Sequence, residues 1–172
     1  MVKELMVGDV MQEFTGTRRI LENIPEEHLT WKPHERSMSL GELATHIVNL
    51  FIWQEAILRY PEFDLAAAPP SRAALESRKT ILEEFDTRSG EISKLLTESD
   101  EEYLREEWTL RRGEMIIQRQ PRGLALRTFG ISHMIHHRAQ MGVYLRLLDI
   151  PVPGLYGPSA DDKQQQKTPD FI

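Results

Sequence analysis

The chain has 172 residues, a formal net charge of −6 and no cysteine. That length suits a single domain with about 70% of its surface buried on folding, and the missing cysteines exclude disulfides, cysteine-ligated zinc, iron–sulfur clusters and a cysteine nucleophile. An acidic chain lacks the basic footprint of a nucleic-acid binder, no apolar run approaches the roughly 18 residues of a membrane span, and the N-terminus has no signal-peptide core, which together point to a cytoplasmic protein.

Prolines divide the chain into four long segments, each too long to be a strand. In the first, residues 2–24, Met6, Val10, Phe14, Thr17, Leu21 and Ile24 recur at helical spacing. Glu13 falls inside that apolar arc. It can serve as an acceptor behind a metal-bound imidazole, as a fourth ligand, as a base, or as a flank residue snorkelling to water. The second segment, residues 39–60, opens with a capping box, Ser39 with Glu42, and a hydrophobic staple, Met38 with Leu43. On its helix His46 shares a flank with Leu43, Leu50, Trp53, Ile57 and Tyr60, which turns it inward.

The third helix is expected after Pro69-Pro70 with Ser71 as its N-cap. Its stripe is Ala74, Leu75, Ile81, Leu82, Phe85, Ile92, Leu95 and Leu96. Residues 101–120 read as a short hairpin, Trp108–Leu110 against Met115–Ile117 around Gly113, or as an irregular loop. The fourth helix spans residues 121–149 and stops before Pro151. At a constant 100° per residue its one side carries Arg127, Thr128, Arg138 and Arg146. The other carries Phe129, His133, His136, His137, Gln140, Met141, Tyr144 and Leu148. Residues 1–160 form one domain, and residues 161–172 are a polar tail expected to be mobile. Four amphipathic helices of this length give an all-α helix bundle.

The histidines carry the chemistry. His133 and His137 stand about 40° apart around one helix and about 6 Å apart along it, so both imidazoles can converge on one metal ion. The alternative is a pair of ordinary core or surface histidines. His46 can complete the set from a second helix, because packed helices lie about 8–10 Å apart; alone, it reads equally well as a hydrogen-bonded core histidine. His136, about 60° from His133, is the reserve ligand. His28 and His34 lie in a proline-bounded loop and read as solvated. Gln140 and Tyr144, beyond the histidine pair on the same face, are candidate substrate contacts or packing residues. No HExxH, no glutamate three residues before a histidine, no glycine-rich phosphate loop and no GxSxG occurs.

Four stretches resemble the DinB-like (DinB/YfiT-like) proteins over about residues 5–161. They are Leu29-Thr30-Trp31-Lys32-Pro33 with Ser39–His46, then His133-Met134-Ile135-His136-His137-Arg138-Ala139-Gln140, then Tyr144-Leu145-Arg146, and lastly Pro153–Asp161. Ala139 stands where the family usually has glycine. The resemblance implies an up-down-down-up four-helix bundle, usually dimeric. It also implies one divalent ion, zinc, nickel or iron, held by His46, His133 and His137. Relatives of this kind include metal-dependent transferases that use low-molecular-weight thiols as partners of a small-molecule substrate. A metal-dependent hydrolase and a non-catalytic metal-binding or stress-response protein are the other readings. A homodimer is expected for a second reason: Leu124, Ile131, Ile135 and Leu145 lie among the arginines of the fourth helix, which leaves it apolar nearly all round.

Overall fold

The computed structural model describes residues 2–68, 70 and 73–165. Helix α1 (Val2–Leu21) buries Val10, Phe14, Thr17, Ile20 and Leu21, and Ile24 follows them into the core. Helices α2 (Leu40–Asn49) and α3 (Phe51–Arg59) succeed each other through Leu50, which keeps helical backbone angles. The expected capping box starts α2: the Glu42 amide donates to Ser39 Oγ (3.2 Å) and the Ser39 amide to the Glu42 carboxylate (2.7 Å). Such a reciprocal cap satisfies two amides that no helical carbonyl can reach.

Helix α4 (Arg78–Glu98) starts on Ser77, whose Oγ accepts from the Thr80 amide at 3.0 Å. The expected cap, Ser71, lies outside the described residues. Ala74 and Leu75 precede the helix and do not join its stripe; the Leu75 amide donates to Thr45 Oγ1 at 2.8 Å. Phe14, Phe51 and Phe85, one from each of α1, α3 and α4, meet edge to face with centroids 5.2–6.3 Å apart at the centre of the core. Each such pair adds about 0.5–1.5 kcal/mol to what its buried area contributes.

The fold is not all-α. Three strands, β1 (Glu62–Asp64), β2 (Glu107–Arg112) and β3 (Met115–Pro121), form a mixed sheet in the order β1-β2-β3. The pair β2–β3 is antiparallel across a turn at Gly113, whose φ is +56°. The pair β1–β2 is parallel, with Phe63 opposite Leu110. Parallel strands need a long crossover, here the whole of α4. The all-α four-helix-bundle expectation is therefore corrected to a mixed fold, a helical layer with a three-stranded sheet at one end. Trp108 of β2, fully buried, fastens the two layers together by packing on Phe129 at 6.1 Å.

After the sheet comes a short helix, α5 (Arg122–Ala125), then a π-helical stretch, Leu126–Ser132, then α6 (His133–Leu147). Arg122 is buried and donates to the carbonyls of Ile57 and Tyr60, with the Tyr103 ring 4.2 Å from its guanidinium. Helix α7 (Ala160–Gln165) follows, anchored by Asp161, which accepts from Arg146 and from the Val152 amide. The stretch expected as a mobile tail thus begins with this helix, and residues 166–172 lie outside the described residues. Of the apolar residues that pointed to a dimer, Ile131 and Leu145 are buried inside the single chain, Ile135 is half-buried and Leu124 is exposed. Among the described residues no helix is long and apolar enough to cross a membrane.

Candidate metal centre

Two helices bring three histidines together. His46 lies in the later half of α2, between the buried Thr45 and Ile47. His133 and His137 occupy the first turns of α6. One ligand atom from each of these three lies within 4.8 Å of the others. Ring centroids are 5.5 Å apart for His46–His133, 4.3 Å for His46–His137 and 4.8 Å for His133–His137. Tetrahedral zinc with bonds of 2.0–2.1 Å would set its nitrogens roughly 3.3 Å apart. The triad's limit of 4.8 Å is wider than that spacing, so ligation would draw the three rings closer together.

The electrostatics favour ligation. Burial first, then the nearby His137 and His133, push His46 down from 6.5 to about 4. Burial also lowers His133 and His137; the Phe129 carbonyl opposes the shift at His133, and the Gln140 bond opposes it at His137. Neutral imidazoles at pH 7 keep the lone pairs that a cation needs.

Neighbouring groups orient the rings. Gln140 Oε1 lies 2.8 Å from His137 Nδ1. A carboxamide oxygen only accepts, so Nδ1 carries the proton and Nε2 keeps its lone pair. Hydrogen bonds of this kind fix the tautomer and orientation of metal-ligating histidines.

The remaining candidates have other contacts. His136 is exposed, its ring 4.8 Å from that of His137, and its Nε2 accepts from the Gln140 amide at 3.2 Å. The Tyr144 hydroxyl donates to the Met38 carbonyl (3.1 Å) while its ring meets Trp31 edge to face. His34 is exposed and accepts from the Arg36 amide, and His28 is half-buried in the same loop. Glu13 is buried, but its partners are Arg138, at 2.7 Å, and the Tyr156 hydroxyl, 2.7 and 2.9 Å from its two oxygens. Arg138 also donates to the Glu13 carbonyl (3.1 Å) and to Thr17 Oγ1 (3.3 Å).

Sequence reasoning placed Arg138 on a basic face, whereas it is 2% exposed. It also missed a cleft of about 310 Å³ that reaches His46 and is lined by Asn49, Trp53, Phe63, Leu65 and Arg88 among others. Asn49 and Trp53 had a signal, since they follow His46 by one and two helical turns. Phe63 and Arg88 had none, because they arrive from β1 and α4.

The DinB family model matches residues 5–168. An uncharacterised protein of Bacillus subtilis, YrdA, is 27% identical over 151 residues, which cover 87% of this chain and 85% of that one. A second from the same organism, YjoA, is 29% identical over 142 residues, 82% of this chain and 87% of the other. The crystal structure of a DinB-like protein from Bacillus cereus superposes with a TM-score of 0.72 at 23% identity, covering 89% of this chain and 97% of that one. That superposition shows a shared fold.

Proposed function

The chain belongs to the DinB family, and from that premise we propose that it is a metal-dependent transferase that joins the sulfur of a low-molecular-weight thiol to an electrophilic small molecule. The observation that carries the reading is the convergence of His46, His133 and His137, with ligand atoms within 4.8 Å of one another.

Three neutral ligands leave a divalent ion its full charge and an open coordination position, and such an ion lowers the pKa of a water or thiol bound to it. The chain's residues do the rest. His46, His133 and His137 hold the site, two of them on one rigid helix. Gln140 Oε1, accepting from His137 Nδ1, keeps the proton there and leaves His137 Nε2 its lone pair. In this reading the nucleophile is the sulfur of the thiol substrate, which is consistent with a chain that has no cysteine of its own.

Metal analysis of untagged protein should give about one divalent ion per chain, and His133→Ala should abolish it. A panel of cellular thiols with electrophilic substrates then separates the readings. A transferase turns over only with thiol and only when metal-loaded, and a hydrolase works without thiol. Equal activity of the loaded and metal-free protein with every thiol would refute the proposal.

A further inference from the structure

The cleft beside His46 has a largely apolar wall, made by Leu50, Ile52, Trp53, Phe63 and Leu65 among others. The Trp53 and Phe63 rings stand 5.1 Å apart, and Trp53 also meets Phe129 at 5.8 Å, which fixes its ring. A space of about 310 Å³ lies at the small end of ligand pockets and suits a single ring. Its charge is already balanced. Arg88, the one cation among the described lining residues, pairs with Glu84 at 3.6 Å and borders a surface hollow that Glu83, Glu84 and Glu91 line. An anion would have to compete with those carboxylates for the guanidinium, and a cation would enter beside the guanidinium itself. A neutral ligand meets neither cost.

One polar group on this wall is left without a partner. Asn49, half-buried and three residues after His46, lines the cleft, and its Oδ1 is buried with no hydrogen bond among the described residues. A carboxamide oxygen only accepts, so it calls for an N–H or O–H donor. Water in the cleft does not reach it, because the atom has almost no exposed surface. A buried acceptor without a donor is unfavourable. A ligand that brings a donor therefore relieves a defect that a purely apolar ligand leaves in place.

We propose that this cleft binds a neutral aromatic molecule carrying an N–H or O–H donor. Its ring lies against Trp53 and Phe63, and the Asn49 side chain turns into the cleft so that Oδ1 accepts from the donor. His46 lines the same cleft. That the bound molecule is the electrophilic substrate rests on the metal reading above, but the binding itself does not.

Benzamide, methyl benzoate, benzoate and benzamidinium, nearly alike in size, are the probes, with acetamide as the ringless control. They are titrated by ligand-observed NMR into wild-type, Asn49→Leu, Asn49→Asp and His133→Ala protein. Wild-type protein should bind benzamide roughly fivefold to tenfold more tightly than methyl benzoate, as one neutral hydrogen bond allows. Benzoate, benzamidinium and acetamide should also be weaker than benzamide. Asn49→Leu should erase the preference for amide over ester and still bind the ester. Asn49→Asp keeps an acceptor and adds a negative charge, so it should raise benzamidinium above benzamide, which keeps the test alive if the leucine variant does not fold. His133 is not among the lining residues, so His133→Ala should keep the wild-type order. Benzamide binding no better than methyl benzoate to wild-type protein overturns the proposal. So does an undiminished preference in Asn49→Leu, no gain for benzamidinium in Asn49→Asp, or benzoate or acetamide competing as well as benzamide. A protein that holds no metal yet prefers benzamide refutes only the metal reading. One that holds metal without that preference refutes only this proposal.

Discussion

Replacing Glu13 by glutamine removes a charge at nearly constant volume. Glu13 and Arg138 side chains are 5% and 2% exposed and their charged atoms lie 2.7 Å apart. Both charges have left water, so the loss cannot be screened away as at a surface pair. Arginine stays protonated at any ordinary pH, so Glu13→Gln strands a cation in the core. Breaking a buried pair from one side costs about 3–5 kcal/mol, which lowers Tm by about 6–20 °C for a chain of this size. The Tyr156 hydroxyl can still donate to the new amide oxygen, so its contact does not enlarge the loss. The double variant Glu13→Leu with Arg138→Met removes both charges and should recover most of the deficit. Urea denaturation of the wild type, Glu13→Leu, Arg138→Met and the double variant measures the coupling. Metal content in Glu13→Gln should be unchanged, because the carboxylate serves Arg138 and not the histidines. A single-variant loss below about 1 kcal/mol would show that the pair behaves as a surface bridge, and a loss of metal would return Glu13 to the ligand set.

Three further outcomes follow from other contacts. Gln140→Leu releases His137 Nδ1, and metal affinity should fall about 10–100-fold in a competition titration while the circular dichroism spectrum stays unchanged. In Gly130→Ala the new Cβ would stand 2.8 Å from Gln54 Cγ, and Gln54 is fully buried; the expected cost is about 1–3 kcal/mol, and an unchanged melting curve would contradict it. Without metal, the folded chain favours neutral His46, lowered to about 4, over the unfolded value near 6.5. That contribution is whole above pH 6.5 and is lost as the pH falls toward 4, so the chelator-treated protein should destabilise across that window and His46→Gln should flatten the fall.

Local chemistry was legible in the sequence, and long-range pairing was not. Ser39 and Glu42 announced α2 because both halves of a capping box lie within four residues. The spacing of His133 and His137 is likewise a property of one helix turn, and His46 could be matched to them from its flank. Strand β1 left no comparable trace: three residues, Glu62–Asp64, become a strand only by pairing with Thr109–Arg111, beyond the entire length of α4. Ser77, which caps α4, is the same residue type as Ser71, so residue type alone could not choose between them. Arg138 was misplaced for a different reason. Its face was counted from Arg127 at a constant 100° per residue, but the π-helical stretch between them advances by less than that. Arg138 therefore left the side of Arg127 and turned inward to Glu13.

The same stretch bears on how this helix tolerates changes in length. Losing one residue from an ordinary α-helix swings everything downstream by about 100°, which would carry a paired imidazole out of its site. A single π-bulge holds one residue more than α-helical winding needs. Within Leu126–Ser132, a one-residue deletion is thus the indel that lets the turn relax to α-helix while both flanks stay in phase. Loss is cheap there and gain is not. Among length variants of this chain, shortened forms that keep His133 and His137 aimed at His46 should cluster in those seven positions and nowhere else along the helix.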